Sequence, residues 1–230
     1  MKKKAKKYEA ALKLVDASKF YTVQEASELI DKTTATKFDS TIDVSFKLNV
    51  DPTHADQLIR GTLVLPHGNG KTKKVLALTA TKQDEAKAAG ADFVGGKDML
   101  EKIERENWFG FDVIVATPDM MGELGKMGRV LGPKGLMPNP KSGTVTMNIG
   151  TAVTEIKKGK ITYRVDKDGN LNISIARCSF KPSDIADNLK TVCDAVAKSR
   201  PSTVKGVYVQ TAVLHTTMGP GLKITFDGRN

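Results

Sequence analysis

"KKVLALTATKQDEAKAAGADFVGGKDMLEKIERENWFGFDVIVATP", residues 73–118, decides the fold. Three short apolar runs, "KVLALTA", "DFVGG" and "FDVIVATP", are separated by "QDEAKAAG", which Gly90 stops, and by "KDMLEKIERENW", both helical in pattern. The order is βαβαβ. Near-continuous apolar strands between helices predict a parallel sheet covered on both faces, a small Rossmann-like domain. Its first strand ends in "LTATKQ" instead of G-x-G-x-x-G, so no bound dinucleotide and no other cofactor is expected.

Outward from this block the pattern changes on both sides. Upstream, a basic helical stretch opens the chain, and "TVQEASELI" at 22–30 predicts a second helix through a capping box, Thr22 as N-cap and Glu25 three residues on. Next, "TIDVSFKLNVD" alternates, with Ile42, Val44, Phe46, Leu48 and Val50 on one face, and "RGTLVLP" predicts a strand ended by Pro66. Downstream, "KITYRV" and "LNISIA" are expected to form a hairpin through Asp168-Gly169. "SDIADNLKTVCDAVAKS" sets Ile185, Leu189, Val192 and Val196 at helical spacing behind Ser183 as N-cap, and "GVYVQTAVLH" and "LKITF" flank the turn "TTMGPG" at 216–221. Neither flank has enough strands for a sheet alone. Together they predict an α/β protein: a two-segment α+β domain with an antiparallel sheet, residues 1–70 and 156–230, interrupted by the Rossmann-like domain, residues 71–155. Two chain crossings, "PHGNGK" and "KKGK", would form a double-stranded hinge.

Composition limits the function classes. A chain of 230 residues with 40% hydrophobic content can bury real cores. Its longest purely aliphatic run, "VIVA", is far short of the roughly 20 residues a membrane helix needs, so no membrane partner is expected. The start, "MKKKAKKYEAALKLVD", is basic but lacks the apolar core of a signal peptide, which predicts a cytoplasmic protein. Cys178 and Cys193 have no metal-ligand spacing and are read as small buried apolar residues of a reducing compartment. The net charge is +10, which favours polyanionic partners. Residues 156–230 carry 13 basic and 6 acidic side chains, against 11 and 9 in 1–70 and 12 and 11 in 71–155, so the excess is one-sided.

Two stretches approach the phosphate-binding loop G-x-x-x-x-G-K-[ST]. "GLMPNPKS" at 135–142 has Pro140 where the second glycine must offer its N–H, and "LPHGNGKT" at 65–72 has Leu65 in place of the first glycine and is followed by a strand. Both fail on mechanism. His54, His67 and His215 lie apart, and Glu101 and Glu104 sit on a charged helix face, so no catalytic residue and no metal site is assigned. The stretch 122–150 holds seven glycines, three prolines and Lys126, Arg129, Lys134 and Lys141 against one acid, Glu123. It reads either as a structured surface loop closing the inserted domain or as a flexible basic contact for phosphates or a protein. In "TTMGPG", Thr217 can bond a phosphate or ribose hydroxyl, Met218 can pack on a sugar or base, and the glycines permit close approach; the alternative is a tight turn with Met218 in the core. Lys37 and Arg177 are natural phosphate partners beside it. Phe38 either stacks on RNA or packs in the core.

"GKMGRVLGPKGLMPNPKSGTVT" closely resembles the signature of the L-one family of large-subunit ribosomal proteins, in its bacterial form. "KFDSTIDV", "DQLIRGTLVLPHG", "YRVDKDG", "SFKPSDIADN" and "TTMGPG" follow in family order, so the resemblance spans nearly the whole chain. It implies a non-enzymatic stalk protein, a monomer within the ribosome, that binds a folded large-subunit rRNA site and helps deacylated tRNA leave the exit site. It also implies a repressor that binds its own operon mRNA. The rRNA contacts carried over are Lys37, Phe38 and Thr41, then Arg164 and Lys167, then Arg177 and Ser179, then Thr217, Met218 and Gly219, with Glu28 orienting a base or basic side chain. Lys126, Arg129, Lys134 and Lys141 are the candidate tRNA or partner contacts. Two positions depart from the family: Ala176-Arg177 stands where many members have Gly-Lys, which questions a close backbone approach, and His215 replaces a more usual Ser or Thr.

Overall fold

A computed structural model describes residues 5–54 and 56–226. In chain order the elements are helices Lys6–Leu12 (α1) and Val23–Lys32 (α2), strands Thr41–Leu48 (β1), Arg60–Val64 (β2) and Val75–Leu78 (β3), helix Gln83–Ala88 (α3), strand Phe93–Gly95 (β4), helix Lys97–Glu106 (α4) and strand Val113–Ala116 (β5). There follow helices Met121–Lys126 (α5), Gly128–Leu131 (α6) and Ile149–Lys157 (α7), strands Lys160–Arg164 (β6) and Asn170–Arg177 (β7), helix Pro182–Lys198 (α8), and strands Val209–Thr216 (β8) and Leu222–Lys223 (β9). The chain forms two compact units: one comprises the residues up to Gly70 and from Tyr163 onward, the other Lys71–Thr162.

The discontinuous unit is built on a four-stranded sheet of order β7-β1-β8-β9, with antiparallel pairing throughout. The alternation read in β1 is the burial pattern: Ile42, Val44, Phe46 and Leu48 are buried, and the residues between them are half-exposed. Helices α2 and α8 cover that face, α8 through Ile185, Leu189, Val192 and Val196. The capping box of α2 forms as expected, with Glu25 N donating to Thr22 Oγ1 and Thr22 N to the Glu25 carboxylate. The four residues before Ala5 lie outside the described residues, so the opening helix is described only from Lys6.

Two local expectations are corrected. Pro182 takes the first position of α8 after Lys181, because its fixed φ and missing N–H suit that place; Ser183 therefore lies inside the first turn and donates to the Asp184 carboxylate. Strands β6 and β7 are not a hairpin ladder. The turn forms, with Asp166 N donating to Asn170 O and Gly169 at φ 75°, but Gly169 O accepts from Leu48 N and β7 continues along β1, whereas β6 pairs with β2. The turn redirects the chain instead of folding it back.

The inserted unit holds the parallel sheet, order β4-β3-β5. Because successive strand side chains point to opposite faces, β3 feeds two cores. Leu76 and Leu78 pack with Leu100, Ile103, Ile114 and Leu124, and Val75 and Ala77 pack with Ala86, Val115, Ile149 and Val153. The 122–150 stretch is neither all loop nor free. It forms α5 and α6, and Leu124, Met127 and Leu131 enter the first of these cores, so its apolar residues at helical spacing outweigh its glycines. Helix α7, unread in the sequence, covers the other face; its Ile156 is buried, and residues 156–162 accordingly lie in this unit.

Candidate nucleic-acid interface

One end of the four-stranded sheet gathers three segments distant in sequence. Thr41 opens β1 opposite Arg177, the last residue of β7, and Ile42 pairs with Thr216, the last residue of β8. The register thus places residues 36–41, 177–180 and 216–219 side by side. Arg177 Nη1 donates to Asp39 O at 3.0 Å, and Ser179 donates to the Asp39 carboxylate through both its N–H and its hydroxyl, each at 3.0 Å. Beneath them Cys178 N donates to Ser40 O at 2.9 Å, and Cys178 Sγ lies 3.0 Å from Ser40 Oγ. Cys178 and Cys193 are half-buried, not buried, and the polar neighbours of Cys178 explain why: it sits at the rim of the sheet.

Asp39 is the residue that sequence reasoning missed. Its two-point grip ties the loop bearing Lys37 and Phe38 to the turn bearing Ser179, which holds Phe38 at 60% exposure and Lys37 exposed. Phe38 therefore does not pack in the core. In the sequence Asp39 is only an acid two residues after Lys37, and nothing in "KFDS" marks its partner.

The third segment is a tight turn. Thr217 N donates to Thr41 O at 3.0 Å and its hydroxyl donates to the same carbonyl at 3.3 Å. With its proton committed, that hydroxyl offers lone pairs, which suit a ribose 2′-hydroxyl donor better than a phosphate oxygen. Met218 is left-handed, φ 68°, and 75% exposed, so the reading of Met218 as a core residue is excluded. A bulky residue held there is uncommon and costs local energy. Gly219 owes its identity to packing: a Cβ would collide with Thr216 Oγ1 and lie 3.4 Å from Thr33 O. Gly70 is a second required glycine, at φ 70° with Arg177 Cγ 2.6 Å from where a Cβ would stand.

Not every candidate comes to this end. The 166–170 turn meets the Lys47–Leu48 end of β1, where the Lys47 ammonium donates to Asp168 O, so exposed Arg164 and Lys167 lie at the far end of the strand from Thr41. A first-to-last distance of eight residues is roughly 24 Å. Glu28 is exposed on α2, and His215 Nε2 lies 3.2 Å from Ser45 Oγ on the sheet's outer face. In the inserted unit Lys126, Arg129, Lys134 and Lys141 are all exposed; Lys126 pairs with Glu123 at 3.1 Å and Lys134 lies 4.1 Å from the Phe109 ring centre.

Neither near-match to a phosphate loop makes a cradle. Lys71 leads to β3, and around Pro140 the amides turn inward: Lys141 N donates to Asn139 Oδ1, Ser142 N to Asn139 O and Gly143 N to Pro140 O. Among the described residues no group of three or more His, Cys, Asp or Glu side chains could hold a metal, and no helix is long and apolar enough to cross a membrane.

A profile of the Ribosomal protein L1p/L10e family matches residues 30–220. The chain belongs to that family. Large ribosomal subunit protein uL1 of Mesoplasma florum is 54% identical over 227 residues, 99% of this chain and 100% of the relative. Large ribosomal subunit protein uL1 of Mycoplasma capricolum subsp. capricolum is 52% identical over 226 residues, 98% of this chain and 100% of the relative. The match takes in all three segments of the gathered sheet end and the whole inserted unit.

Proposed function

We propose that the chain is a non-enzymatic rRNA-binding protein of the large ribosomal subunit, and that the sheet end formed by residues 36–41, 177–180 and 216–219 is its RNA reader. One observation carries the reading: Asp39 and the β1 register hold Phe38 and Met218 out in solvent beside Lys37, Arg177, Ser179 and Thr217. Folding alone gives no reason to display these two side chains. Cations for phosphates, hydroxyl lone pairs for ribose and apolar side chains for bases are the three chemistries RNA recognition requires. Arg164 and Lys167, at the other end of β1, extend the phosphate track of a folded RNA that spans the strand's length. Both full-length relatives carry the name of a large-subunit protein, which supports this assignment.

The inserted unit serves a lighter contact. Its segment 71–155 carries 12 basic and 11 acidic residues, which suits a transient hold on deacylated tRNA leaving the exit site through Lys126, Arg129, Lys134 and Lys141. The two chain crossings act as the hinge that lets this unit move as a stalk. An mRNA that copies the rRNA site would occupy the same reader, making the protein a repressor of its own operon. It acts as a monomer within the ribosome.

A gel-shift titration on the stalk rRNA fragment and on an unrelated hairpin, at two salt concentrations, tests the reader. Wild type should prefer the stalk fragment, with affinity falling steeply with salt, and Thr217→Val with Met218→Ala should lose the preference. Equal binding of both RNAs by both proteins would reduce the chain to a generic cation and refute the assignment.

A further inference from the structure

Beside the proposed reader lies an open groove of about 520 Å³. It is lined by Tyr8 and the start of α1, by Ala35 and Thr36, and by Phe38 and Met218. Three observations fix what it could take. Its lining is almost wholly apolar, and the Thr36 hydroxyl is already committed to Phe38 O at 3.1 Å, so the groove presents surface instead of hydrogen bonds. Lys6 and Lys7, both exposed, border it, and among the described residues no carboxylate lines it. Its Phe38 and Met218 lining is continuous with Lys37, Thr217 and Arg177, through which an RNA backbone would run.

We infer that this groove receives one unpaired nucleobase turned out of the bound RNA, held between the Phe38 and Tyr8 rings and the Met218 thioether, with Lys6 and Lys7 on the flanking phosphates. The inference rests on the RNA reading above and adds α1, which that reading leaves out. A flat π-system on a polyanionic backbone matches apolar walls under a basic rim, whereas an apolar protein side chain would have no use for the rim. Because the lining formed by the described residues is almost wholly apolar, the groove accepts any base; it recognises that a nucleotide is unpaired, not which one it is. Met218, left-handed two residues beyond the end of β8, is one of the residues that line the groove.

The test uses the full chain and a series of stalk rRNA fragments, each with one unpaired nucleotide replaced by an abasic one. Affinities are measured for wild type, Phe38→Ala at its exposed site and Tyr8→Ala at its half-buried one, after circular dichroism has shown each variant to be folded. One abasic position should weaken wild-type binding roughly five- to hundredfold, the span that loss of one stacked base gives, and that same position should cost the Phe38→Ala and Tyr8→Ala proteins almost nothing. If Phe38→Ala and Tyr8→Ala weaken every RNA in the series alike, no base enters the groove, although the RNA reading stands. If neither variant weakens any RNA while Thr217→Val does, the groove lies off the RNA path and serves a protein partner or a second copy, which also overturns the inference. Failure of the unaltered fragment to bind wild type would instead sink the RNA reading itself.

Discussion

Replacing Met218 by glycine and, separately, by alanine makes the backbone of the 216–219 turn measurable. A left-handed residue costs an L-amino acid roughly 1–2 kcal/mol, and glycine is spared that cost but loses about 0.5–1 kcal/mol more chain freedom on folding. At an ordinary position alanine is therefore the more stable choice. At φ 68° the order inverts, so Met218→Gly should be more stable than Met218→Ala by about 0.5–1 kcal/mol. The side chain is 75% exposed, so both variants forgo little burial, and Met218→Gly should match wild type to within about 1 kcal/mol. Urea unfolding followed by far-UV circular dichroism gives the difference between the two variants at constant slope. RNA affinity should fall equally in both, because both lack the thioether. An alanine variant as stable as the glycine variant would show that the turn is not held left-handed. Retained RNA affinity in either would show that Met218 contributes no contact.

Further outcomes follow from named groups. Asn188 is fully buried, accepts from His67 N and donates to Gly68 O and Ile175 O, so Asn188→Leu leaves buried backbone groups unpaired and should cost about 3–5 kcal/mol; the loss should be seen by circular dichroism while fluorescence of Trp108, in the other unit, reports a nearly unchanged transition. Lys37→Gln should lower the slope of log affinity against log salt by about 0.7–0.9 if Lys37 meets one phosphate. Burial pushes the Tyr208 hydroxyl up to about 12, and that hydroxyl has no hydrogen-bond partner. Its neutral form is favoured in the folded state, so its stability is complete below about pH 10 and lost as pH rises through 12; Tyr208→Phe should be at least as stable at neutral pH and should not share the alkaline loss. The Val75 N–H, and then the Lys157 ammonium, hold the Asp92 carboxyl below its ordinary range, so its contribution is present above that range and lost as pH falls through the depressed value. Asp92→Asn should flatten the acid limb of a Trp108-monitored unfolding profile.

Where a periodicity had one meaning, the fold was legible. β1 alternates and is half-buried in the same register; β3 and β5 are apolar throughout because both their faces are covered, as cores on either side of Leu76 and Ala77 make plain. Signals failed where two local rules competed. In 122–150 the glycines and prolines argued for loop, yet Leu124, Met127 and Leu131 recur at helical spacing and tertiary burial outweighed the glycines' cost. Asp168-Gly169 encoded the turn correctly but not the partner of the strand after it, since pairing is decided by β1, more than a hundred residues away in sequence. At the candidate site the residue types were legible, but not the bond that assembles them: nothing in "KFDS" or "SFKP" tells that Asp39 and Ser179 meet.

Hydrogen exchange of the full chain, with and without the stalk rRNA fragment, tests the central claim most directly. Slowing concentrated in residues 36–41, 177–180 and 216–219, with the 122–150 stretch unchanged, is the predicted pattern. Slowing confined to 122–150, with the sheet end exchanging as in the free protein, would contradict it and move the RNA reader to the inserted unit.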